Sequence, residues 1–98
     1  MANNTDSLVS EYVQTRPKSA TLHEQATRFF AANGATHSAR AMKPFRPYIA
    51  RAQGSRKWDV DGHEYIDYVM GHGALILGHS HPAVVEALRG QVAKGLLY

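Results

Sequence analysis

The most constraining feature of this sequence is the stretch of residues 58–82, WDVDGHEYIDYVMGHGALILGHSHP. Its first half alternates apolar and acidic residues around Asp61-Gly62, a dipeptide typical of a type I′ turn. The pattern predicts a hairpin with strands at residues 57–60 and 64–69. In the first half Trp58 and Val60 lie on one face and the aspartates on the other, whereas Tyr65 and Ile66 break the alternation, so the second strand is expected to be covered on both sides. Three glycines within eight residues then predict a tight loop before a helix begins at Pro82.

A further strand and a helix flank this hairpin. Residues 48–52 have the composition of a strand, and Gln53-Gly54-Ser55 marks the turn that follows. Beyond the loop, Ser80 is a candidate N-cap, and proline suits a first helical turn. A helix is therefore predicted over residues 82–94, with Gly95 as its stop.

Two helices are predicted upstream of the strands. Apolar residues recur at helical spacing over residues 7–15, and Pro17 ends that helix. Thr21 opens a capping-box pattern for a second helix, which is predicted to stop at Asn33-Gly34. Its apolar stripe consists of Leu22, Ala26, Phe29 and Phe30. Residues 34–47 have no period and are predicted to be a loop. Neither helix could bury its stripe alone, so the pair is expected to act as a docking arm.

Composition excludes several classes of protein. The 98 residues include no cysteine, which excludes disulfide scaffolds, thiolate metal sites and cysteine nucleophiles. The N-terminus lacks the apolar core of a signal peptide, and no apolar run approaches the roughly 18–20 residues of a membrane helix. These features predict a cytoplasmic protein without a membrane partner.

The net charge of +3 is unevenly distributed along the chain. No acidic residue lies between Glu24 and Asp59, whereas seven basic residues do: Arg28, Arg40, Lys43, Arg46, Arg51, Arg56 and Lys57. Such a block could attract nucleic acid, a small anionic substrate or the acidic surface of another subunit, or it could be ordinary solvated surface. Because these residues share no helical face and no interleaved aromatic pattern, nucleic acid is not expected as a partner.

Three histidines of the glycine-rich part, His72, His79 and His81, have two competing interpretations. Their spacing could ligate zinc or copper, but no suitably spaced carboxylate or thiolate accompanies them. His79 and His81 are instead expected to pack or cap the start of the helix. His72 lies between two glycines, which suits a residue that lines a pocket. A small histidine metal protein is kept as an alternative.

Four acidic residues of the hairpin raise the possibility of acid–base chemistry or calcium binding: Asp59, Asp61, Glu64 and Asp67. Asp61 is accounted for by the turn, and the spacing of a calcium loop is absent. All four are predicted to be hairpin and surface residues. Neither a phosphate-binding loop nor a nucleophile elbow is found, so spacing alone gives no complete active site.

The order of the motifs resembles a known family. WDVDGHEYIDY followed by LGHSHPAVVEA is similar to the N-terminal portion of class III, pyridoxal-phosphate-dependent aminotransferases, nearest to the glutamate-1-semialdehyde 2,1-aminomutase branch. Residues 34–42, with the pattern G-x-x-x-S-x-R-A followed by a hydrophobic residue, resemble the substrate loop of that branch. The resemblance covers about residues 30–98.

The resemblance implies an α/β protein of fold type I, of which this chain is an N-terminal fragment with α+β character. Residues 1–33 would be a helical arm, and residues 34–98 the start of the N-terminal segment, with the large cofactor domain absent. Family members are considerably longer homodimers that use pyridoxal 5′-phosphate, which requires a Schiff-base lysine, a carboxylate and a phosphate-holding loop. No lysine here matches that role. The fragment is therefore expected to be inactive, and no catalytic, cofactor-binding or metal residue is assigned.

The resemblance also implies three substrate-binding residues. Arg40 aligns with the arginine that pairs with the substrate carboxylate in the aminomutase branch, a role that suits the planar guanidinium fork. An ion pair at a surface or dimer interface is the alternative role for Arg40. His72 replaces an aromatic side chain of the branch, and His37 replaces a small polar residue. These departures favour a transaminase of amino acids or amines with a different pocket. A non-catalytic module that docks on a full-length homologous subunit is a further alternative.

Overall fold

The computed structural model describes residues 4–34 and 41–96 of the chain. Its helices and strands are, in order, α1 (Asn4–Gln14), α2 (Pro17–Thr27), α3 (Ala31–Gly34), β1 (Ile49–Gln53), β2 (Arg56–Asp59), β3 (Glu64–Ile66) and α4 (Pro82–Val92). The strands form one small antiparallel sheet in the order β1-β2-β3. The predicted arrangement of helices, a small meander and a final helix is confirmed.

The chain divides into two compact units. Residues 1–50 with 58–63 form the first unit, and residues 51–57 with 64–98 form the second. The division into an arm at 1–33 and a segment at 34–98 follows the sequence resemblance and stays a prediction.

The core of the first unit lies in the segment for which no regular structure was predicted. Phe45, in the loop before β1, is 6% exposed and is the one large hydrophobic residue buried among those that the structure describes. The ring of Tyr12 on α1 lies 5.3 Å from it, and the ring of His23 on α2 stacks on it at 5.5 Å. The Tyr12 hydroxyl also donates to the Phe45 carbonyl at 2.9 Å. Phe45 thus packs against both α1 and α2, and its buried ring supplies much of the apolar contact area.

Helix α1 agrees with the prediction, but α2 corrects it. α1 ends before Pro17 as expected, and α2 then begins at Pro17 itself, where proline fits the first helical position. The capping box predicted at Thr21 is wrong, since that hydroxyl lies inside the helix and donates to the Pro17 carbonyl. α2 ends at Thr27, which leaves Phe29 and Phe30 beyond the helix and exposed. The predicted apolar stripe is therefore shorter than expected.

The predicted stop at Asn33-Gly34 belongs to another helix. Both residues adopt left-handed φ angles, of 64° and 63°, but they lie in the short α3 rather than at the end of α2. α2 itself ends earlier, with the backbone N–H of Arg28 bonded to the carbonyl of Gln25.

The turn between β2 and β3 is not the predicted type I′ turn. Four residues, 60–63, connect these strands, and within the Asp61-Gly62 pair only Gly62 has a left-handed φ, of 95°. The carboxylate of Asp59 shapes the loop instead, because its Oδ1 accepts the backbone N–H of Asp61 at 3.0 Å and of His63 at 2.8 Å. Such aspartate turns substitute a side-chain acceptor for a backbone one.

Asp61, which lies in this loop, caps the N-terminus of α2. Its two carboxylate oxygens accept the backbone N–H groups of Lys18 and Ser19, each at 2.8 Å, in the first turn of α2. These groups have no partner within the helix, and the helix macrodipole favours a negative charge there. Burial acts to raise the pKa of Asp61, but hydrogen bonds from the Ser19 hydroxyl and from these N–H groups outweigh it and lower the pKa.

Replacing Asp61 by alanine is expected to reduce the free energy of unfolding by about 1–2 kcal/mol, since two N–H groups of α2 lose a charged acceptor. Chemical denaturation followed by far-ultraviolet circular dichroism measures this loss. Asp61→Asn keeps an acceptor oxygen and should lose less. Equal stability of the alanine variant and the parent protein would contradict the capping role.

The second unit also departs from the predicted boundaries. β3 ends at Ile66 rather than at residue 69, and a loop then runs to the start of α4. Ser80 is not the N-cap of α4; it has a left-handed φ of 53°, and its hydroxyl donates to the Ala52 carbonyl at 2.9 Å. His81 occupies the N-cap position instead. Pro82 at the first position confirms the predicted helix start.

Candidate functional site

The structure describes one of the three predicted substrate-binding residues. Arg40 and His37 lie outside the described residues. His72 is described and exposed, and its backbone has a left-handed φ of 58°. Its surroundings therefore define the part of the candidate site that the structure describes.

His72 lies on a left-handed turn. Four successive residues, 70–73, have φ angles of 47°, 61°, 58° and 85°. The turn is closed by hydrogen bonds from the Gly73 N–H to the Val69 carbonyl at 2.9 Å and from the Leu75 N–H to the Met70 carbonyl at 3.0 Å. A left-handed conformation costs roughly 1–2 kcal/mol for each residue with a side chain, and glycine at two of the four positions halves that cost. Strain of this kind is typical of functional loops.

The buried carboxylate of Asp67 fixes the start of this loop. Its Oδ1 accepts the backbone N–H groups of Val69 at 2.9 Å and Met70 at 3.2 Å, and lies 3.4 Å from Lys57 Nζ. Its Oδ2 lies 2.7 Å from His79 Nε2. Asp67 begins the loop and His79 ends it, so this contact joins the two ends of the loop.

The surface position predicted for Asp67 is wrong, since only 7% of the residue is exposed. Hydrogen bonding to His79 holds the pKa of Asp67 well below its usual range, and the backbone N–H groups and Lys57 add to this effect while burial opposes it. Asp67 is consequently ionised at neutral pH. A charge so buried is tolerated because both carboxylate oxygens have donors nearby.

His79 also attaches the loop to the turn between β1 and β2. Its backbone N–H donates to the Gly54 carbonyl at 2.8 Å, and its carbonyl accepts the Gly54 N–H at 2.9 Å. Gly78 makes this approach possible, because a Cβ there would lie 2.9 Å from the Gly54 Cα. Any side chain at Gly78 would separate the two segments. Residues 67–79 thus form a closed loop, hereafter the pinned loop.

A second buried carboxylate, Asp59, organises the first unit. Its side chain is fully buried, and its Oδ2 lies 3.1 Å from His63 Nδ1 and 3.7 Å from Arg16 Nε. The Arg16 guanidinium also lies 4.2 Å from the centre of the Tyr12 ring, a cation–π contact. The surface position predicted for Asp59 is wrong. Its hydrogen bonds shape the loop that carries Asp61, so its role is structural.

The other two acidic residues of the hairpin differ from each other. Glu64 is exposed, as predicted, and pairs with Arg56. Asp61 is only partly exposed and caps α2. The four acidic residues therefore divide into two buried anchors, one helix cap and one surface ion pair.

The histidine metal site receives no support from the geometry. Within residues 4–34 and 41–96, no three His, Cys, Asp or Glu side chains are grouped as ligands for a metal ion. His79 is paired with Asp67, whereas His81 is the N-cap residue of α4 and makes no side-chain cap bond. In the described part of the chain the buried Nδ1 of His81 has no hydrogen-bond partner.

The lysines of this chain do not fit a pyridoxal phosphate site. Such a site requires a lysine that forms a Schiff base with the cofactor aldehyde. It also requires a cradle for the phosphate and a carboxylate for the pyridine nitrogen. Lys57 is engaged with Asp67, and Lys18, Lys43 and Lys94 are exposed. The described residues also form no enclosed pocket.

Comparison with known proteins identifies the family. The model of the class-III aminotransferases matches residues 37–98, which include the whole sheet, the pinned loop and α4. The chain belongs to the class-III aminotransferases. The predicted family is thereby confirmed on a match to more than half of the chain.

Curated relatives and solved structures agree with this assignment. The glutamate-1-semialdehyde 2,1-aminomutase of Desulforamulus reducens is 50% identical over 84 residues, which cover 83% of this chain and 19% of that protein. A β-phenylalanine aminotransferase from Variovorax paradoxus has a TM-score of 0.80 and 28% identity, over 92% of this chain and 21% of that one. A transaminase with pyridoxal phosphate bound has a TM-score of 0.75 and 35% identity, over 85% and 19% respectively.

These matches confirm the predicted fold and the predicted cofactor of the family. The backbone of the chain is similar to that of the corresponding segment in fold type I transaminases, and one of those structures carries pyridoxal phosphate. The chain spans about a fifth of the length of the relatives it matches.

Asp59 and Asp67 are the two residues that sequence reasoning misplaced most. Asp67 lies between Ile66 and Tyr68 in the chain, and a lone acid in such an apolar context was the signal for a buried, paired carboxylate.

No helix of the described residues has the length and apolarity that crossing a membrane requires.

Proposed function

We propose that this chain is the N-terminal segment of a pyridoxal-phosphate-dependent transaminase or aminomutase that acts on an amino-acid or amino-aldehyde substrate. The observation that carries the proposal is the family match over residues 37–98. It is supported by 50% identity to a glutamate-1-semialdehyde 2,1-aminomutase.

In this proposal the segment shapes the mouth of the substrate pocket. Arg40 binds the substrate carboxylate through its guanidinium fork, with His37 beside it. His72 lines the pocket from the strained turn of the pinned loop, and its exposure agrees with that role. Because the polar imidazole replaces an aromatic ring of the aminomutase branch, a transaminase is preferred to an aminomutase.

The cofactor and the remaining chemistry belong to protein beyond this segment. Pyridoxal phosphate, when bound to the intact enzyme, would accept the electron pair that is left on the substrate carbon when its α-proton is removed. The intact enzyme is proposed to be a cytoplasmic homodimer, with neither nucleic acid nor membrane as a partner. The 98-residue chain alone is proposed to have no transaminase activity.

The isolated chain is expected to show no visible absorbance band of a lysine-bound cofactor after incubation with pyridoxal phosphate. The physical reason is that none of its described lysines lies in a suitable site. Absorbance spectroscopy before and after borohydride treatment measures this. A stable, borohydride-sensitive adduct at one lysine would contradict the proposed inactivity.

A chimera tests the substrate role. In it, this chain replaces the matching segment of the Desulforamulus reducens aminomutase, and transamination is measured with amino donors that have or lack a carboxylate. Arg40→Ala should raise KM for the carboxylate-bearing donor about 10-fold or more and leave the other donor almost unchanged. Equal effects on both donors would contradict carboxylate binding by Arg40, and a folded chimera without any aminotransferase activity would contradict the proposed function.

One alternative retains some support. A non-catalytic docking module would expose apolar side chains for a homologous subunit, and several of them are exposed on this chain. Size-exclusion chromatography with an intact homologous subunit distinguishes it, since a stable complex with the full-length subunit is expected only of a docking module.

A further inference from the structure

Asn33 has a backbone conformation that is unfavourable for a residue with a side chain. Its φ angle is 64°, in the left-handed region, and the φ angle of the next residue, Gly34, is 63°. Asparagine tolerates this region better than most residues, because its short polar side chain can form hydrogen bonds nearby. A residue other than glycine persists there only where specific contacts hold it.

The side chain of Asn33 makes such a contact across the substrate loop of residues 34–42. Its Nδ2 donates to the backbone carbonyl of Met42 at 3.1 Å. The two residues are nine positions apart, and the stretch between them contains His37 and Arg40. A bond between the ends of a segment removes much of the conformational freedom that an open segment would have. Arg40 precedes the anchored carbonyl by two residues, so few backbone dihedral angles separate it from a fixed point.

Both ends of this stretch are also attached to the first unit. At Gly34 a Cβ would lie 3.1 Å from the Ala26 Cβ and 3.1 Å from the Thr27 backbone nitrogen, so the chain passes close against the end of α2. Three residues after Met42, the ring of Phe45 is buried against aromatic rings of α1 and α2. The Asn33–Met42 bond therefore joins two points that are themselves held by the fold.

We infer that Asn33 is a positioning residue for substrate binding. Its bond to Met42 holds the substrate loop in the shape in which Arg40 meets the substrate carboxylate. Asn33 does not touch the substrate; it acts through the backbone that carries Arg40. Such support has an effect because a guanidinium binds a carboxylate through two parallel hydrogen bonds, which a small displacement weakens. The inference rests on the proposed function and adds a residue to which the family resemblance gave no role.

The chimera with the Desulforamulus reducens relative tests this role with two variants. Asn33→Gly accepts the left-handed backbone without strain and removes the side-chain amide, whereas Asn33→Asp keeps the size of the side chain and replaces its N–H donor with an oxygen. Both should raise KM for a carboxylate-bearing amino donor about 5-fold and leave kcat almost unchanged. KM for a donor without a carboxylate should stay within about 2-fold, which a general loss of structure would not allow.

A double-mutant cycle shows whether Asn33 acts through Arg40. In a chimera that already carries Arg40→Ala, Asn33→Gly should have no further effect on KM for the carboxylate-bearing donor, because the group that it positions is gone. Two independent roles would instead give the same increase in KM in both backgrounds.

Ser80→Gly is the matched control. Ser80 also has a left-handed φ angle, of 53°, and its hydroxyl donates to the backbone carbonyl of Ala52, but both residues belong to the second unit. The variant removes the same kind of bond elsewhere in the chain. It should leave the ratio of the two KM values, for donors with and without a carboxylate, unchanged.

The hydrogen bond itself can be measured in the 98-residue chain. With an isotope-labelled carbonyl at Met42, Asn33→Gly should move the NMR resonance of that carbonyl carbon upfield, because the carbon becomes more shielded when its oxygen loses a hydrogen bond. Ser80→Gly should leave the resonance in place. An identical Met42 resonance in the parent protein and in Asn33→Gly would overturn the inference without any activity measurement.

The kinetic outcomes separate the inference from the proposed function. If Arg40→Ala raises KM for the carboxylate-bearing donor and Asn33→Gly does not, the inference is wrong and carboxylate binding by Arg40 stands. The same holds if Asn33→Gly raises KM equally with and without Arg40. If Arg40→Ala itself affects both donors alike, carboxylate binding by Arg40 fails, and the positioning role of Asn33 fails with it.

Discussion

Asp67→Asn is expected to lower the free energy of unfolding of the second unit by about 2–4 kcal/mol. The variant leaves Lys57 and His79 without their shared anion and weakens the acceptor for two backbone N–H groups of the loop. The loop then loses the contact that joins its ends. Residues 67–79 should consequently exchange their amide hydrogens faster, as measured by hydrogen exchange with mass spectrometry.

The pH dependence of stability gives a second readout for Asp67. Because the pKa of Asp67 is lower in the folded protein than in the unfolded chain, ionised Asp67 stabilises the fold above the unfolded value of about 3.9. That contribution is lost as the pH falls below this value towards the folded pKa. The stability difference between the parent protein and Asp67→Asn should therefore shrink as the pH falls through the acid range below about 4.

Glu64→Gln provides the control for Asp67→Asn. Glu64 forms an exposed ion pair with Arg56, so its loss should cost less than about 1 kcal/mol. If Asp67→Asn and Glu64→Gln had equal effects at neutral pH, the buried network would not stabilise the loop as inferred.

Asp59→Ala is expected to destabilise the first unit by about 3–5 kcal/mol, the cost typical of removing one partner from a buried charge pair. The fully buried carboxylate accepts two backbone N–H groups and faces Arg16 and His63. Without it, the loop of residues 60–63 loses its shape. Asp61 would then no longer be held over the first turn of α2.

Urea denaturation followed by far-ultraviolet circular dichroism measures this effect, because α1 and α2 belong to the first unit. A double-mutant cycle sharpens the test. If Asp59 positions Asp61, the double variant Asp59→Ala, Asp61→Ala should lose less stability than the sum of the two single variants. Additive losses would show that the two carboxylates act independently.

Much of the local structure followed from the sequence. Proline ended α1 and began α4, and the glycine of Gln53-Gly54-Ser55 marked the turn between β1 and β2. These features depend on the backbone dihedral angles of single residues and their neighbours, which local sequence sets directly. The motifs of residues 58–82 also predicted the family, because their order is characteristic of it.

The candidate site was predicted less completely. His72 was expected beside a pocket because of its two glycines, and the structure adds the left-handed turn and its anchors. Asp67 and His79 are twelve residues apart, and no local rule links them. The prediction of a type I′ turn was wrong for a related reason. The Asp59 side chain accepts N–H groups of the loop, and the dipeptide pattern does not report this contact.

The sequence by itself determined the family of this protein, the order of its strands and its longer helices, and the position of its glycine-rich loop. Only the tertiary structure decided that Asp59 and Asp67 are buried anchors, that Asp61 caps α2, and that Phe45 forms the core of the first unit. The physical reason is that burial and long-range hydrogen bonds depend on which distant groups meet. From a strand pattern alone an aspartate is predicted to lie at the surface. It can be buried only where a lysine, a histidine or free N–H groups from elsewhere in the fold surround it.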